Sequence, residues 1–271
     1  ISDRNGEPLA ISTPVQTLWA NPEQLVERIE DWRPLAGALG VAPDELERRI
    51  GSVATREFVY LRRRMTPGDA ARVMALGTAG VYSRREYQRF YPAGQTAAHV
   101  VGFTNVDDRG QEGIELAYDE WLTGVPGSKQ VIKDLYGHVI RDVQELSPAR
   151  PGRALDLSLD LRIQYLAHRE LKKAIASANA ESGCVVVLDA RSGEILAMAN
   201  QPTYNPNNRG GGVGPALRNR AITDLVEPGS TMKPLTMIAA LESGKYHPGM
   251  TMETSPGYIR VGRKTFRDHH N

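Results

Sequence analysis

Glu227-Pro228-Gly229-Ser230-Thr231-Met232-Lys233-Pro234, followed by the run Leu235 to Glu242 and a stop at Ser243-Gly244, decides how this chain is read. An interior proline would break a helix, so Pro234 must lie in the first turn, which puts the helix start near Ser230 or Thr231. Gly244 sits where a left-handed cap belongs. Between them Leu235, Met237, Ile238, Ala239, Ala240 and Leu241 leave almost no polar face, which predicts a helix buried on nearly all sides. Ser230 and Lys233 then share one face, one turn apart. An alcohol is a weak nucleophile and must hand its proton to a nearby base. A lysine is such a base only when desolvation or a second cation lowers its pKa, and an apolar helix would strand Lys233 away from water. The helix start adds unpaired N–H groups and a positive dipole end where an oxyanion would form. A serine that only caps its helix would fit position 230 by itself. The Pro-Gly entry, the first-turn proline and the stranded lysine together favour chemistry. Ser230 and Lys233 are the candidate catalytic pair. Glu227, a candidate binding residue, either orders the loop before Ser230 or is a solvated carboxylate.

Upstream of this segment the texture is regular. Leu155 to Leu159 alternates as a strand, and Asp160 can cap a helix with Leu161, Leu166, Leu171, Ala174 and Ile175 on one side. Cys184 to Leu188 and Glu194 to Ala199 read as strands joined by Asp189-Ala190-Arg191-Ser192-Gly193, short enough for an antiparallel hairpin. Cys184, beside Val185-Val186-Val187, reads as a small buried hydrophobe. Residues 201 to 220 carry Pro202, Pro206, Asn207, Asn208 and Gly210-Gly211-Gly212, which predicts a mobile surface loop.

Ser147-Pro148-Ala149-Arg150-Pro151-Gly152 is the clearest boundary, a proline-rich polar linker that separates residues 1–150 from 151–271. Before it, Asn5-Gly6 between short apolar stretches signals a hairpin turn. Three helices open on a first-turn proline: after Asn21-Pro22 over Glu23 to Ile29, after Pro43-Asp44 over Glu45 to Ile50, and after Thr66-Pro67 to near Gly77. Glu57 to Leu61 and Val81-Tyr82 through Phe90-Tyr91 are rich in aromatic and β-branched residues and read as strands. Arg62-Arg63-Arg64 reads as a solvated strand end, not a binding patch, because the chain is almost neutral. The mixture is α+β, and it suggests an elongated front module.

The 33 Lys and Arg residues against 32 Asp and Glu give a net charge of +1, with no clustered basic surface of the kind nucleic acids require. No run approaches the roughly 18 apolar residues that span a bilayer. The chain opens on Ile1 and closes on Lys264 to Asn271, and both ends read as cuts. His269 and His270 point in different directions, with no carboxylate at ligand spacing, so no metal site is expected.

Several of these segments resemble one family, the class B penicillin-binding proteins, and among them the division-specific peptidoglycan transpeptidases of Gram-negative bacteria. Glu227 to Pro234 is similar to the family's acylation motif, and Arg218-Asn219-Arg220-Ala221 to the approach that precedes it. Gly193 to Met198 and Gln201 to Asn207 resemble the first transpeptidase strands. In the front module the similar motifs are Asp3-Arg4-Asn5-Gly6, then Arg89-Phe90-Tyr91-Pro92 with His99 to Gly102. They continue with Gly113-Ile114-Glu115 and Tyr118-Asp119, then Leu122 to Gly127. The likeness spans essentially all of the chain.

The resemblance implies a pedestal domain over 1–150, followed by the N-terminal part of a penicillin-recognising, β-lactamase-like serine transpeptidase domain over 151–271. It implies cleavage of a terminal D-Ala from a peptidoglycan stem peptide through an ester on Ser230, with transfer of the acyl group to a neighbouring stem's amine. β-Lactams would acylate the same serine, and no cofactor is implied. The expected partners are stem peptides, β-lactams and divisome membrane proteins, at the periplasmic face of the inner membrane, with an N-terminal anchor outside this sequence. The family also uses a downstream Ser-x-Asn and Lys-Thr/Ser-Gly. Ser177-Ala178-Asn179 has the first set of letters but precedes Ser230 on a helix, and Lys264-Thr265-Phe266 lacks the glycine that lets substrate approach the strand. The nucleophile is therefore expected here without its whole pocket. A β-lactam-binding sensor, a division scaffold and a carboxypeptidase- or β-lactamase-like hydrolase are the competing readings.

Overall fold

A computed structural model describes residues 1–26, 32–52, 56–133, 139–208 and 214–267. The end of the first helix beyond Val26, the glycines Gly210-Gly211-Gly212 and the pair His269-His270 lie outside the described residues. The chain forms two compact units, Ile1–Asp224 and Leu225–Asn271, within an α+β fold.

The first unit is built on an antiparallel sheet. Its central strand β1 (Ile11–Ala20) lies between β2 (Val59–Met65) and β3 (Val81–Phe90). β1 pairs with β3 along its whole length, from Ile11 opposite Phe90 to Ala20 opposite Val81. Pro14, which has no N–H to give, is tolerated in a central strand because the β2 ladder begins only at Gln16. Leu18 and Ala20 of β1 pack with residues of four helices: α1 (Pro22–Val26), α2 (Trp32–Leu39), α3 (Pro43–Gly51) and α4 (Pro67–Met74). Leu18, Leu25, Leu35, Leu39, Leu46, Ile50, Leu61 and Val73 make this core. The proline-marked starts hold: Pro43 and Pro67 lie in the first turns of α3 and α4, and Thr66 accepts the Asp69 N–H through its hydroxyl. α2 was not foreseen in the sequence. The arginine run differs from expectation as well. Arg63 pairs with Asp107 at 2.9 Å and with Glu86, Arg64 reaches Asp108, and Arg62 donates to the Leu39 carbonyl. Acidic side chains on β3 and at 107–108 thus hold Arg63 and Arg64, which water was expected to solvate, while Arg62 stays exposed.

A second core forms around Leu9, Tyr91, Ala98, Val101, Phe103, Leu159 and Tyr204. Small elements surround it: α5 (Ala98–Val101), the paired β4 (Phe103–Thr104) and β5 (Gly110–Glu112), α6 (Gly113–Ala117) and α7 (Asp119–Leu122). β6 (Ser128–Lys133) and β7 (Val139–Ser147) form an antiparallel hairpin. The expected linker is held by backbone pairing, since Arg150 and Val125 exchange N–H···O bonds at 2.9 and 2.8 Å.

Asn5-Gly6 does form a tight turn, with Gly6 at φ +84°. It is clamped by Asp3, which is 1% exposed and accepts the N–H groups of Asn5, Glu7 and Leu161 at 2.7, 2.9 and 2.9 Å. The stretch 155–159 is extended, but no ladder forms. It makes a parallel bridge between Asp156 and Ser2, because the partner it finds is the short N-terminal segment.

Asp160 caps α8 (Leu161–Ala178) as expected, accepting the Arg162 N–H. Leu171 is buried, whereas Leu166 is 48% exposed, and the polar Gln164 takes its place in the interior at 1% exposure. β8 (Gly183–Leu188) and β9 (Ile195–Gln201) form the expected antiparallel hairpin. Cys184 is exposed, not buried. In a two-stranded hairpin alternate residues face away from α8, and Cys184, Val186 and Leu188 are on that outer face. Residues 201–208 are likewise packed and not loose. Tyr204 is 3% exposed, and Asn207 both accepts the Tyr91 N–H and donates to the Tyr91 carbonyl at 2.9 Å.

Candidate active site

The segment leading to the serine is held inside the first unit. Asn219 precedes the one-turn helix α9 (Arg220–Thr223). Asn200, 1% exposed on β9, donates to the Asn219 side-chain oxygen at 3.0 Å and accepts the Ala221 N–H at 2.8 Å. Asn219 in turn donates to the His99 carbonyl at 3.3 Å. Asp224 closes the turn, pairing with Arg218 at 2.6 Å and with Arg220 at 3.0 Å. His99 donates from Nε2 to the Ala216 carbonyl at 2.8 Å, and burial lowers its pKa.

The second unit contains the candidate pair. Gly229, at φ +54°, opens a 3-10 turn over Gly229–Met232 that runs directly into α10 (Lys233–Glu242), with Pro234 in the first turn of the α-helix. The Lys233 N–H donates to the Ser230 carbonyl, closing an i→i+3 turn. With three residues per turn, side chains at i and i+3 of such a turn eclipse one another, so Ser230 and Lys233 leave the backbone on one side. Thr231 is anchored by its hydroxyl to the Pro228 carbonyl. Gly244 follows α10 at φ +66°, the left-handed stop the sequence predicts.

Burial departs from expectation. Ser230, Lys233 and Glu227 are all exposed, and Leu235, Met237, Ile238 and Leu241 of α10 are 57, 58, 52 and 41% exposed. Among the described residues this unit adds only β10 (Tyr258–Val261) and β11 (Lys264–Arg267), an antiparallel pair. One helix and one two-stranded hairpin do not enclose a core, so the apolar residues of α10 remain in water. Among the described residues no hydrogen bond joins the Ser230 hydroxyl to the Lys233 amine.

The two look-alike motifs resolve into ordinary structure. Ser177 and Ala178 end α8, with Asn179 as its left-handed cap at φ 48°. Lys264-Thr265-Phe266 lies on β11, opposite Val261, Arg260 and Ile259. Among the described residues no three His, Cys, Asp or Glu side chains gather as a metal cluster would. Sequence reading missed the roles of Gln164, Asn200 and Asn219. For Gln164 the signal was a polar side chain where the hydrophobic period of α8 points inward; Asn200 and Asn219 had no such mark.

The family model of the penicillin-binding protein dimerisation domain matches residues 1–157, and that of the penicillin binding protein transpeptidase domain matches residues 183–271. The chain is 44% identical over 261 residues to the peptidoglycan D,D-transpeptidase FtsI of Escherichia coli K12, covering 94% of this chain and 44% of that protein. It is 41% identical over 268 residues to the probable peptidoglycan D,D-transpeptidase PbpC of Pseudomonas aeruginosa PAO1, covering 99% and 47%. It therefore spans less than half the length of these two relatives. Among solved structures, a peptidoglycan synthetase from Bifidobacterium adolescentis is similar with a TM-score of 0.67 at 25% identity, covering 99% of this chain and 53% of that one. Penicillin-binding protein PBP2 in complex with MreC from Helicobacter pylori shares the fold, with a TM-score of 0.75 at 23% identity over 99% of this chain and 55% of that one. With both family domains in order along one sequence, the chain belongs to the class B penicillin-binding proteins.

Proposed function

We propose that this chain is the pedestal, over 1–150, and the opening part of the catalytic domain, over 151–271, of a serine D,D-transpeptidase that cross-links peptidoglycan stem peptides during septal wall synthesis. The observation that carries the reading is the 3-10 turn that eclipses Ser230 and Lys233 at the start of an apolar helix. The names of the E. coli and P. aeruginosa relatives support the same reaction.

In this reading the Ser230 hydroxyl oxygen attacks the carbonyl of the penultimate D-Ala of a stem peptide. Its proton passes to the Lys233 side chain, and the tetrahedral oxyanion is held by backbone N–H groups at the turn. The C–N bond to the terminal D-Ala then breaks, the departing amine takes a proton, and an ester on Ser230 remains. The amine of a second stem attacks the ester, frees Ser230 and completes the cross-link. β-Lactams enter at the first step. Lys233 serves as base only once apolar surface closes over α10 and removes water from the amine. Glu227 would order the loop ahead of the turn. The partners we propose are stem peptides, β-lactams and membrane proteins of the division apparatus, at the periplasmic face of the inner membrane. Among the described residues no helix is long and apolar enough to cross a membrane.

The test is acyl transfer in the full-length protein. A synthetic pentapeptide ending in D-Ala-D-Ala, supplied with a D-amino acid acceptor, should release D-Ala and yield the exchanged peptide, and Ser230→Ala should abolish both products. Release of D-Ala with no exchanged peptide at saturating acceptor would instead identify a carboxypeptidase.

A further inference from the structure

The three-stranded sheet of the first unit has two outer edges, and they differ. On β2 the pairing with β1 shifts register between Gln16 and Leu18 and again between Leu18 and Trp19, and Arg64 stands at φ +59°. Irregularities of this kind twist an edge out of line and hinder the addition of a further strand. β3 has none. Its ten residues pair with β1 without a break, and among the described residues it pairs with no other strand.

Two bonds show which backbone groups of β3 point outward. The Asn21 N–H donates to the Gly80 carbonyl at 2.8 Å, and towards the far end the Thr13 hydroxyl donates to the Gln88 carbonyl at 3.1 Å. Even-numbered residues of β3 therefore turn their N–H and C=O groups to β1. Odd-numbered ones turn them away, because bonding alternates along an antiparallel strand. Val81 gives its outward N–H to the Thr78 carbonyl. Among the described residues no hydrogen bond reaches the outward main chain of Ser83, Arg85 or Tyr87, and all three residues are exposed. A regular row of free donors and acceptors at strand spacing fits one kind of ligand, another strand.

Charge selects which strand. Arg63 and Arg84 share the Glu86 carboxylate, while Arg85 lies over the Tyr87 ring at 5.5 Å and, among the described residues, pairs with no carboxylate. A second copy of this chain fits badly. Antiparallel self-pairing must bring outward residues together, so Arg85 would meet Ser83, Arg85, Tyr87 or Arg89. In turn, these registers put Arg84 on Arg84, Arg85 on Arg85, Glu86 on Glu86 and Arg85 on Arg89. Like charges directly opposite destabilise a strand pair. Any further shift pairs at most half of the strand.

We propose that the outer edge of β3 docks an extended acidic segment of a partner protein, which adds to the sheet beside Ser83, Arg85 and Tyr87. The main chain supplies the bonds, and a carboxylate opposite Arg85 supplies the selection. Docking at this edge is independent of the chemistry of Ser230.

The experiment titrates the full-length protein with a short fluorescent peptide of alternating threonine and glutamate, and with its lysine counterpart, reading anisotropy. Amide hydrogen exchange is followed across 81–90 with and without peptide. Ser83→Pro removes one outward N–H and spares the ladder to β1, and Arg85→Glu reverses the charge. The acidic peptide should bind wild-type protein and slow exchange across 81–90, and the lysine peptide should bind about fivefold more weakly or worse. Ser83→Pro should weaken the acidic peptide. Arg85→Glu should invert the preference and take the lysine peptide more tightly, a gain that a misfolded variant cannot give. Failure of the acidic peptide to bind, or exchange across 81–90 unchanged when it is saturating, would overturn the proposal. Equal binding of the two peptides by wild-type protein, or undiminished binding in Ser83→Pro, would do the same. Self-association of peptide-free protein with slowed exchange across 81–90 would make a second copy the occupant and equally overturn it.

Discussion

The guanidinium of Arg89 and the carboxylate of Glu115 meet at 2.7 Å with side chains 15% and 2% exposed, joining β3 to α6 inside the first unit. Arg89 also donates to the Ser12 hydroxyl at 3.0 Å. Both residues belong to stretches that carry the family resemblance, yet their role is internal. A charge this deeply enclosed is tolerated only with its partner in place. Glu115→Ala should therefore destabilise the protein by about 3–5 kcal/mol, because it strands the arginine. Arg89→Met combined with Glu115→Leu should cost far less than the sum of the single changes. Urea unfolding of Glu115→Ala, of Arg89→Met and Glu115→Leu singly, and of the double variant checks this, and additive losses would show that the two charges act independently.

Gly102 is at φ +78°, and a Cβ built there would lie 1.7 Å from the Glu112 carbonyl oxygen. Backbone cannot yield as a flexible side chain can. Gly102→Ala should therefore cost about 4 kcal/mol or more, beyond the usual range for a single substitution. A melting temperature within a few degrees of wild type would show that the close approach of Gly102 to Glu112 is softer than its geometry indicates.

Burial alone would raise the pKa of Asp3, but the N–H groups of Leu161, Glu7 and Asn5 outweigh it and hold the carboxyl below its usual value. The folded-state value lies under the unfolded one, near 3.9. The stabilisation is thus complete above about pH 4 and disappears as pH falls through the folded value. Asp3→Asn should be less stable than wild type at neutral pH, and the gap should narrow as the solution is acidified below that point. A gap independent of pH down to acid unfolding would refute this role for the charge.

If the Lys233 amine takes the serine's proton, neither Lys233→Ala nor Lys233→Arg can do so, since an arginine stays protonated. Both should acylate slower by about 10²–10⁴-fold, the usual worth of a general base, with folding unchanged. Stopped-flow quenching with a penicillin measures it. An arginine variant near the wild-type rate would leave the lysine a purely electrostatic role.

The local signals were legible. First-turn prolines at 22, 43, 67 and 234, the Asp160 cap and the left-handed glycines at 6 and 244 are each written in one or two residues and appear where expected. Contacts between distant residues were not. Pro14 disguised β1, because nothing local shows that the β2 ladder starts at Gln16. Residues 201–208 looked loose because Tyr204 and Asn207 are held by partners more than a hundred positions away, at Ala98 and Tyr91. Composition announced burial for Cys184 and α10, but burial depends on having something to pack against, and one hairpin face and one lone helix lack it. The turn that carries Ser230 and Lys233 was readable from the glycine and proline around them. The bonds of Gln164, Asn200 and Asn219 were not, since a polar side chain does not say which distant group it meets.

The most direct measurement is the intact mass of the full-length protein after incubation with a penicillin, followed by peptide mapping. The account predicts one adduct per chain, carried as an ester on the peptide containing Ser230 and absent in Ser230→Ala. A folded wild-type protein that gains no mass, or an adduct that persists in Ser230→Ala, would contradict it.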